Sequence, residues 1–254
     1  MFYPGEASAL RASIELLLER AAVDAALLAP PKALIVPHAG YPYSGPIAAA
    51  AYARLAPLRD RISRVVLIGP SHHAYFAGIA LPQAEVFSTP LGDIRVDIEL
   101  KTELLDGGDV LVSDVPHAAE HCLEVQLPFL QMILEEFTIL PLVAGVASPE
   151  EVAAVLADVW GGDETLVLAS SDLSHYHSYQ SARSIDARTV AAIVARQPTL
   201  SSEQACGAVG INGLLTLAQE MNLAVEKIAY LNSGDTAGDR TRVVGYGAFA
   251  VHES

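Results

Sequence analysis

Three apolar runs in this chain lead straight into histidine-bearing motifs, and that arrangement constrains the fold more than any other feature. Ala33-Leu34-Ile35-Val36-Pro37 runs into His38, and Val65-Val66-Leu67-Ile68-Gly69-Pro70-Ser71 runs into His72 and His73. Leu166-Val167-Leu168-Ala169 runs into Ser170-Ser171-Asp172 and His175. Short β-branched or apolar runs read as strands, and further ones occur at 139–143, 228–231 and 243–251. Between them lie helical stretches at 7–22, 46–55, 120–135, 149–160, 182–195 and 208–221, the fourth with Ser148 as its cap and Pro149 in its first helical position. The alternation predicts an α/β layered fold, and no linker or repeat divides residues 1–254, so one domain is the simplest account. Parallel strands in an open α/β sheet present their carboxyl ends on one edge, where ligands bind. The histidines are predicted to converge there.

Composition narrows the partners. Hydrophobic residues at 52% and charged residues at 18% exceed what disorder allows. They imply a core enclosed on both faces of a sheet or a buried interface in a homo-oligomer. Lys plus Arg number 15 against 30 Asp plus Glu, a net charge of −15, which argues against nucleic acid and against anionic membrane surfaces. No apolar run reaches the roughly 18 residues of a spanning helix. Met1-Phe2-Tyr3-Pro4-Gly5-Glu6 lacks the basic start and apolar stretch of a secretory signal. Two cysteines, Cys122 and Cys206, are too few for a disulfide framework. A soluble, cytoplasmic protein is expected.

Five constellations carry chemistry. Pro37–Gly45 sets one imidazole, His38, and the phenols Tyr41 and Tyr43 in a loop shaped by glycine and proline. Gly69-Pro70-Ser71-His72-His73 places two histidines that cannot point the same way, so one reads as a ligand and the other as its supporting neighbour, or both as surface residues. Ser170–His177 concentrates a carboxylate, hydroxyls and two imidazoles, which suits acid/base work. Its bland reading is a capped helix start with solvated histidines. Glu120-His121-Cys122-Leu123-Glu124 lies on a predicted helix where His121 and Glu124 share a face, either solvated or supporting a site. Cys206-Gly207 opens a predicted helix whose amides would favour a thiolate and lower its pKa, whereas Cys122 reads as inert. A polar loop after a strand, Tyr230–Arg240, brings Ser233 and Asp235 to the border of the predicted pocket.

Taken in order, these motifs resemble the Memo family, component B of the AmmeMemoRadiSam system. The matching pieces are Pro37–Gly45, Gly69–His73, Phe87–Asp93, Glu120–Leu130, Ser170–His175, Cys206-Gly207 and the tail Val243–Ala248, which span nearly the whole chain. The family is similar in fold to class III extradiol ring-cleavage dioxygenases, so the resemblance implies a central, mostly parallel sheet flanked by helices. It also implies metal ligands at His38, His72 and Cys206, with Asp172 and His175 in the same pocket. His175 would be the acid/base. Asp172, His73, His121 and Glu124 would orient the ligands. Two histidines and a thiolate leave coordination positions open, as a catalytic metal requires. Iron(II) is the expected ion, with copper or zinc as alternatives that the sulfur favours.

Three functions fit this reading. The first is a metal-dependent redox enzyme, dioxygenase-like, acting on a small and potentially aromatic substrate. The second is a metal-binding or metal-buffering protein without turnover. The third is an interaction module that receives a peptide or phosphopeptide in an old enzyme pocket. Family membership further implies a functional link to a radical S-adenosylmethionine enzyme and an AMMECR1-like protein.

Overall fold

The apolar runs become the middle of one sheet. The structure is a computed structural model that describes residues 2–21 and 29–253. Along the chain the elements are α1 (Ala7–Ala21), β1 (Ala33–Val36), α2 (Tyr41–Tyr52), β2 (Arg64–Pro70), β3 (Ile79–Leu81), β4 (Val86–Thr89), β5 (Gly92–Arg95), α3 (Ile98–Gly107) and β6 (Leu111–Val112). They continue with α4 (Leu127–Ile133), β7 (Thr138–Ala144), α5 (Pro149–Asp158), β8 (Thr165–Ser170), β9 (His175–His177), α6 (Tyr179–Val194), α7 (Ala208–Glu220), β10 (Ala224–Asn232) and β11 (Val243–His252).

The strand order is β10-β11-β1-β8-β2-β7-β3-β6, with β9 added on β11. Its centre, β1-β8-β2-β7, is parallel, and the flanks β11 and β3 run antiparallel to it. This is an α/β domain with a mixed, mostly parallel sheet. Along the central strands, alternate residues enter two cores. Ile35, Val66, Ile68, Leu140 and Val167 pack under Leu100, Val152, Leu156, Ile211 and Leu214 from α3, α5 and α7. Leu34, Val65, Leu67, Ile139 and Leu168 pack under Leu10, Ile14, Ile47, Tyr52 and Phe129 from α1, α2 and α4. Burial on both faces is why these strands read as unbroken apolar runs.

Register then sets the site. Val36 lies opposite Ser170, and Ile68 opposite Ala169, so β1, β8 and β2 end level and release His38, Asp172 and His72 at one edge.

The helix boundaries differ from expectation in physically readable ways. α5 starts as read, with Ser148 and Glu151 forming a capping box and Pro149 in the first turn. Residues 120–135 are not one helix. Glu120 and His121 are irregular, Cys122 and Leu123 form a turn, Glu124–Gln126 a 3-10 turn, and α4 begins only at Leu127, with Pro128 in its first turn. His121 and Glu124 therefore share no helix face. α2 begins at Tyr41, not residue 46, because Pro42 occupies its first turn. The predicted first helix extends to Ala22, which lies outside the described residues. Among the described residues no helix is long and apolar enough to cross a membrane.

Candidate metal centre

His38 is buried at the end of β1, held at both ring and backbone. Its N–H and that of Ala39 donate to Asp172 Oδ1 at 2.8 and 3.2 Å. Its Nδ1 lies 3.0 Å from Ser170 Oγ. The Ser170 hydroxyl spends its proton on the Cys122 carbonyl at 2.6 Å and accepts Gln126 Nε2 at 2.8 Å. Gln126 is fixed in turn by the Tyr52 hydroxyl, which donates to its Oε1 at 2.8 Å. Ser170 can therefore only accept from His38, which assigns the proton to Nδ1 and leaves Nε2 as the acceptor nitrogen. Burial, reinforced by His72 and His121, lowers the His38 pKa and keeps the ring neutral.

His72 is oriented by the same logic from a different partner. Its N–H donates to Glu120 Oε2 at 2.7 Å, and its Nδ1 lies 2.9 Å from Glu120 Oε1. Burial pushes the Glu120 carboxyl up, but the hydrogen bonds from His72 outweigh burial and hold it well below its ordinary value. An ionised carboxylate only accepts, so His72 carries a proton on Nδ1. The hydrogen bond to Glu120 raises the His72 pKa. Glu120 also accepts the amides of His121 and Cys122, at 2.9 and 3.1 Å, and so ties the third imidazole to the second. His121 stacks on His72 with centroids 5.2 Å apart and on Phe2 at 4.1 Å. Burial lowers its pKa.

Donor nitrogens of His38, His72 and His121 lie within 4.8 Å of one another. Cys206 adjoins this cluster at His38, its Sγ 3.2 Å from His38 Nε2, but it does not share the mutual spacing of the three imidazoles; His72, Glu120 and Cys122 form a second such group. Nitrogen and sulfur ligands of one ion, at about 2.0–2.1 and 2.3 Å from it, stand roughly 3.1–3.6 Å apart for angles between square and tetrahedral. The three imidazoles, with the His38–Cys206 pair at that spacing, thus fit a metal. Two close approaches make this possible. A Cβ on Gly207 would meet Ser170 O at 2.6 Å, and one on Gly69 would meet Cys122 Sγ at 2.5 Å. Glycine at these positions lets the Cys206 and Glu120–Cys122 segments lie against the strand ends.

The expected low thiol pKa at Cys206 is overturned. Burial, followed by the Asp172 charge, pushes it up to about 12. The Gly207 amide goes to Ser171 Oγ at 2.9 Å, and the sulfur receives the Asp172 N–H at 3.3 Å. The thiol is neutral without a cation, and a metal would supply the missing positive charge. Cys122 is fully buried, its thiol donates to Pro70 O at 3.4 Å, and burial likewise raises its pKa.

A cavity of about 740 Å³ opens on this cluster, lined by His38, His72, His121, Cys206, Asp172 and His175, with Phe2, Tyr176, His177 and Glu203 around them. Burial raises the Asp172 pKa even though its carboxylate accepts the His38 and Ala39 amides. His175 stands on β9, opposite Val244 of β11. Six of the residues singled out in sequence therefore share one cavity, and five do not line it. His73 is exposed, its ring 6.4 Å from that of His72. Glu124 faces outward and accepts the Tyr3 hydroxyl at 2.5 Å. Tyr41 is buried against Phe129 with its hydroxyl on Val125 O at 2.9 Å. Ser233 and Asp235 build the turn after β10, where Ser233 O accepts the Gly238 amide at 2.7 Å and Asp235 accepts the Tyr179 hydroxyl at 2.6 Å.

Sequence reading places Glu120 and Ser170 in motifs without assigning either a role in the site, and gives none to Gln126 or Phe2. Glu120 had a usable signal, a carboxylate immediately before a histidine. Gln126 and Ser170 had none, since their role exists only once Tyr52 and the Cys122 carbonyl surround them.

Known proteins agree with this architecture. A profile for Memo-like proteins matches residues 1–250. A MEMO1 family protein of Methanococcoides burtonii is 37% identical over 231 residues, covering 85% of each chain. One from Aquifex aeolicus is 34% identical over 235 residues, 85% of this chain and 84% of its own. Among solved structures, an uncharacterised protein of Escherichia coli K12 shares the fold at a TM-score of 0.57 and 12% identity, over 85% of this chain and 98% of that one. With its motifs in family order and its match running nearly end to end, this chain belongs to the Memo family.

Proposed function

We propose that the protein holds one transition-metal ion at His38, His72 and Cys206, with His121 beside them, and uses it for redox chemistry on a small ligand in the cavity. The observation that carries this reading is the pair of committed Nδ1 atoms. Ser170 and Glu120 each engage Nδ1 of one ring, donor nitrogens of the two rings and of His121 lie within 4.8 Å of one another, and the Cys206 sulfur lies 3.2 Å from His38 Nε2. A metal-bound histidine typically donates its other ring N–H to such a partner. Iron(II) is the expected ion, and copper or zinc would also suit two imidazoles and a thiolate. A redox-active ion held there would supply one-electron chemistry.

The remaining steps belong to this chain. Asp172 holds the His38 loop through two amides and the Cys206 sulfur through its own N–H. His175, on the cavity wall, takes or returns a proton at its imidazole. Phe2 and Tyr176 offer flat apolar surface for a small, aromatic ligand. A buffering protein would need the ligands but not His175, which makes that residue the discriminator.

Elemental analysis of protein purified anaerobically without chelator tests the metal. Near-stoichiometric iron or copper in the wild type, lost in His38→Ala, His72→Ala and Cys206→Ser, is the expected result. His175→Ala should keep the metal and abolish oxygen-dependent turnover. Wild-type protein that takes up neither iron(II), copper(I) nor zinc would overturn the proposal.

A further inference from the structure

The fold holds two imidazoles of the cluster by polar contacts and the third by flat faces. Ser170 engages Nδ1 of His38, and Glu120 engages Nδ1 of His72. Among the described residues neither ring nitrogen of His121 makes a hydrogen bond. Its Nδ1 lies 3.4 Å from Glu120 Oε1, an oxygen that already accepts the His72 ring and the amides of His121 and Cys122. What touches the His121 ring is aromatic. Phe2 stacks on it with centroids 4.1 Å apart and planes 12° from parallel, and His72 stacks on it at 5.2 Å and 17°. Phe2 and His72 make no ring contact with each other, so they cover opposite faces of His121. His38 stands edge-on to both imidazoles, at 88° to His121 and 83° to His72.

Phe2 is held in this stack by its backbone and its neighbour. The ring is 39% exposed, so burial contributes little to fixing it. Its carbonyl accepts the amide of Tyr41, at the start of α2, at 2.8 Å. The next residue, Tyr3, donates its hydroxyl to Glu124 and sets its ring 5.6 Å from that of Tyr41. Glu124 belongs to the same loop as His121, which the Val125 amide closes onto the His121 carbonyl at 3.0 Å. The segment ahead of α1 is therefore tied to α2 on one side and to the His121 loop on the other. Beyond Phe2 and Tyr3 lies a separate cavity of about 360 Å³, bordered by Ser88, Pro90 and Glu124, so Phe2 is a wall shared by two cavities.

We infer that Phe2 is the positioning residue of the third imidazole: its ring clamps His121 against His72 and so keeps a donor nitrogen of His121 inside the 4.8 Å cluster. Stacking restrains the tilt of an imidazole through its faces, whereas a hydrogen-bonding partner would occupy one of its nitrogens, which lie in the ring plane. His38 and His72 each give up Nδ1 to be held; His121 is held without giving up either. The consequence for an ion rests on the metal reading of the preceding section, but the clamp itself needs no ion.

Two measurements separate the clamp from the metal. In metal-free protein, carbethoxylation by diethyl pyrocarbonate, resolved by residue with mass spectrometry, should modify His121 roughly two- to tenfold faster in Phe2→Leu than in wild type, the range that loss of one aromatic pair implies. Phe2→Tyr should restore the wild-type rate, and the exposed His73 should react equally in all three. With zinc in chelator competition, Phe2→Leu should weaken binding by a similar factor, Phe2→Tyr should recover it, and in a His121→Ala background Phe2→Leu should have no further effect. Unchanged His121 labelling in Phe2→Leu would overturn the clamp whatever the metal does. Unchanged zinc affinity in Phe2→Leu, or a loss that persists in the His121→Ala background, would overturn its role at the centre while leaving the metal reading intact. Wild-type protein that binds no zinc would overturn that role together with the metal reading, and the labelling would still decide the clamp.

Discussion

The two ends of the central strands treat buried polar groups in opposite ways. At the amino end, Lys32 precedes β1 and Arg64 opens β2. The Lys32 ammonium donates to the carbonyls of Gly162 and Thr165 at 2.5 and 2.7 Å and lies 5.4 Å from the Trp160 ring centroid. Arg64 Nε reaches Asp97 Oδ2 at 2.8 Å. Each charge there meets its complement inside the protein. At the carboxyl end of the same strands, three imidazoles of one chemical kind crowd within 4.8 Å, beside a neutral thiol and a carboxyl whose pKa burial raises. The fold engages Nδ1 of His38 through Ser170 and Nδ1 of His72 through Glu120, and sets His38 Nε2 against the Cys206 sulfur. Satisfied polar groups hold a structure together, and groups left with open valences at a cavity mark where something else must bind.

That contrast can be broken from either end. The largest expected effect is at the carboxyl end: added metal should raise the Tm of the wild type, and His38→Ala or His72→Ala should abolish both metal uptake and that rise, as followed by thermal denaturation. Unliganded His72→Ala should unfold close to the unliganded wild type, whereas His38→Ala also removes a buried ring bonded to Ser170 and should lower stability as well. Lys32→Met should do the reverse. It leaves buried carbonyls without a donor and is expected to lower stability by roughly 2–4 kcal/mol in chemical denaturation while metal content stays unchanged.

A smaller effect sharpens the comparison within the site. Glu120→Gln keeps the shape but loses the anion that fixes His72, and metal affinity should fall about 10–100-fold in competition with a chelator. The smallest is a pH effect at the amino end. Burial pushes the Asp97 carboxyl up, but the Leu100 amide and the Arg64 guanidinium outweigh it and hold its pKa below the ordinary value. The unfolded chain therefore binds this proton at higher pH than the folded one. Asp97 stabilises fully above the ordinary carboxylate range, and that contribution fades as pH falls toward the folded value. In Asp97→Asn, stability measured by denaturation should fall less steeply on acidification than in the wild type. Equal slopes would remove Asp97 from the account.

How far the sequence could be read follows the same division. β1, β2, β7 and β8 were legible because burial on both faces writes an unbroken apolar run, and the histidine motifs were legible because they sit where those runs stop. The pieces passed over are short or half-exposed. β3 has 3 residues and β6 has 2, and the β4–β5 hairpin is mostly exposed. α3 is marked in the sequence by its ends, Asp97 accepting from Leu100 at its start and Gly108 in a left-handed cap at its end. In the site, residue types at strand ends were readable, but the direction of a pKa was not. A helix start after Cys206 suggests a stabilised thiolate, yet which amide reaches the sulfur depends on Ser171 intercepting Gly207, a contact made across 36 residues of chain. His73 and Glu124 show the same limit: a motif places the backbone, and neighbours from other elements decide where the side chain turns.

The central claim is that two imidazoles and a thiolate at the carboxyl edge hold one ion. X-ray absorption on protein reconstituted anaerobically with iron(II) tests it most directly. The account predicts one sulfur scatterer at about 2.3 Å together with nitrogen or oxygen neighbours, the sulfur vanishing in Cys206→Ser and persisting in His121→Ala. A first shell of nitrogen and oxygen alone in the wild type, or a protein that retains no ion, would contradict it.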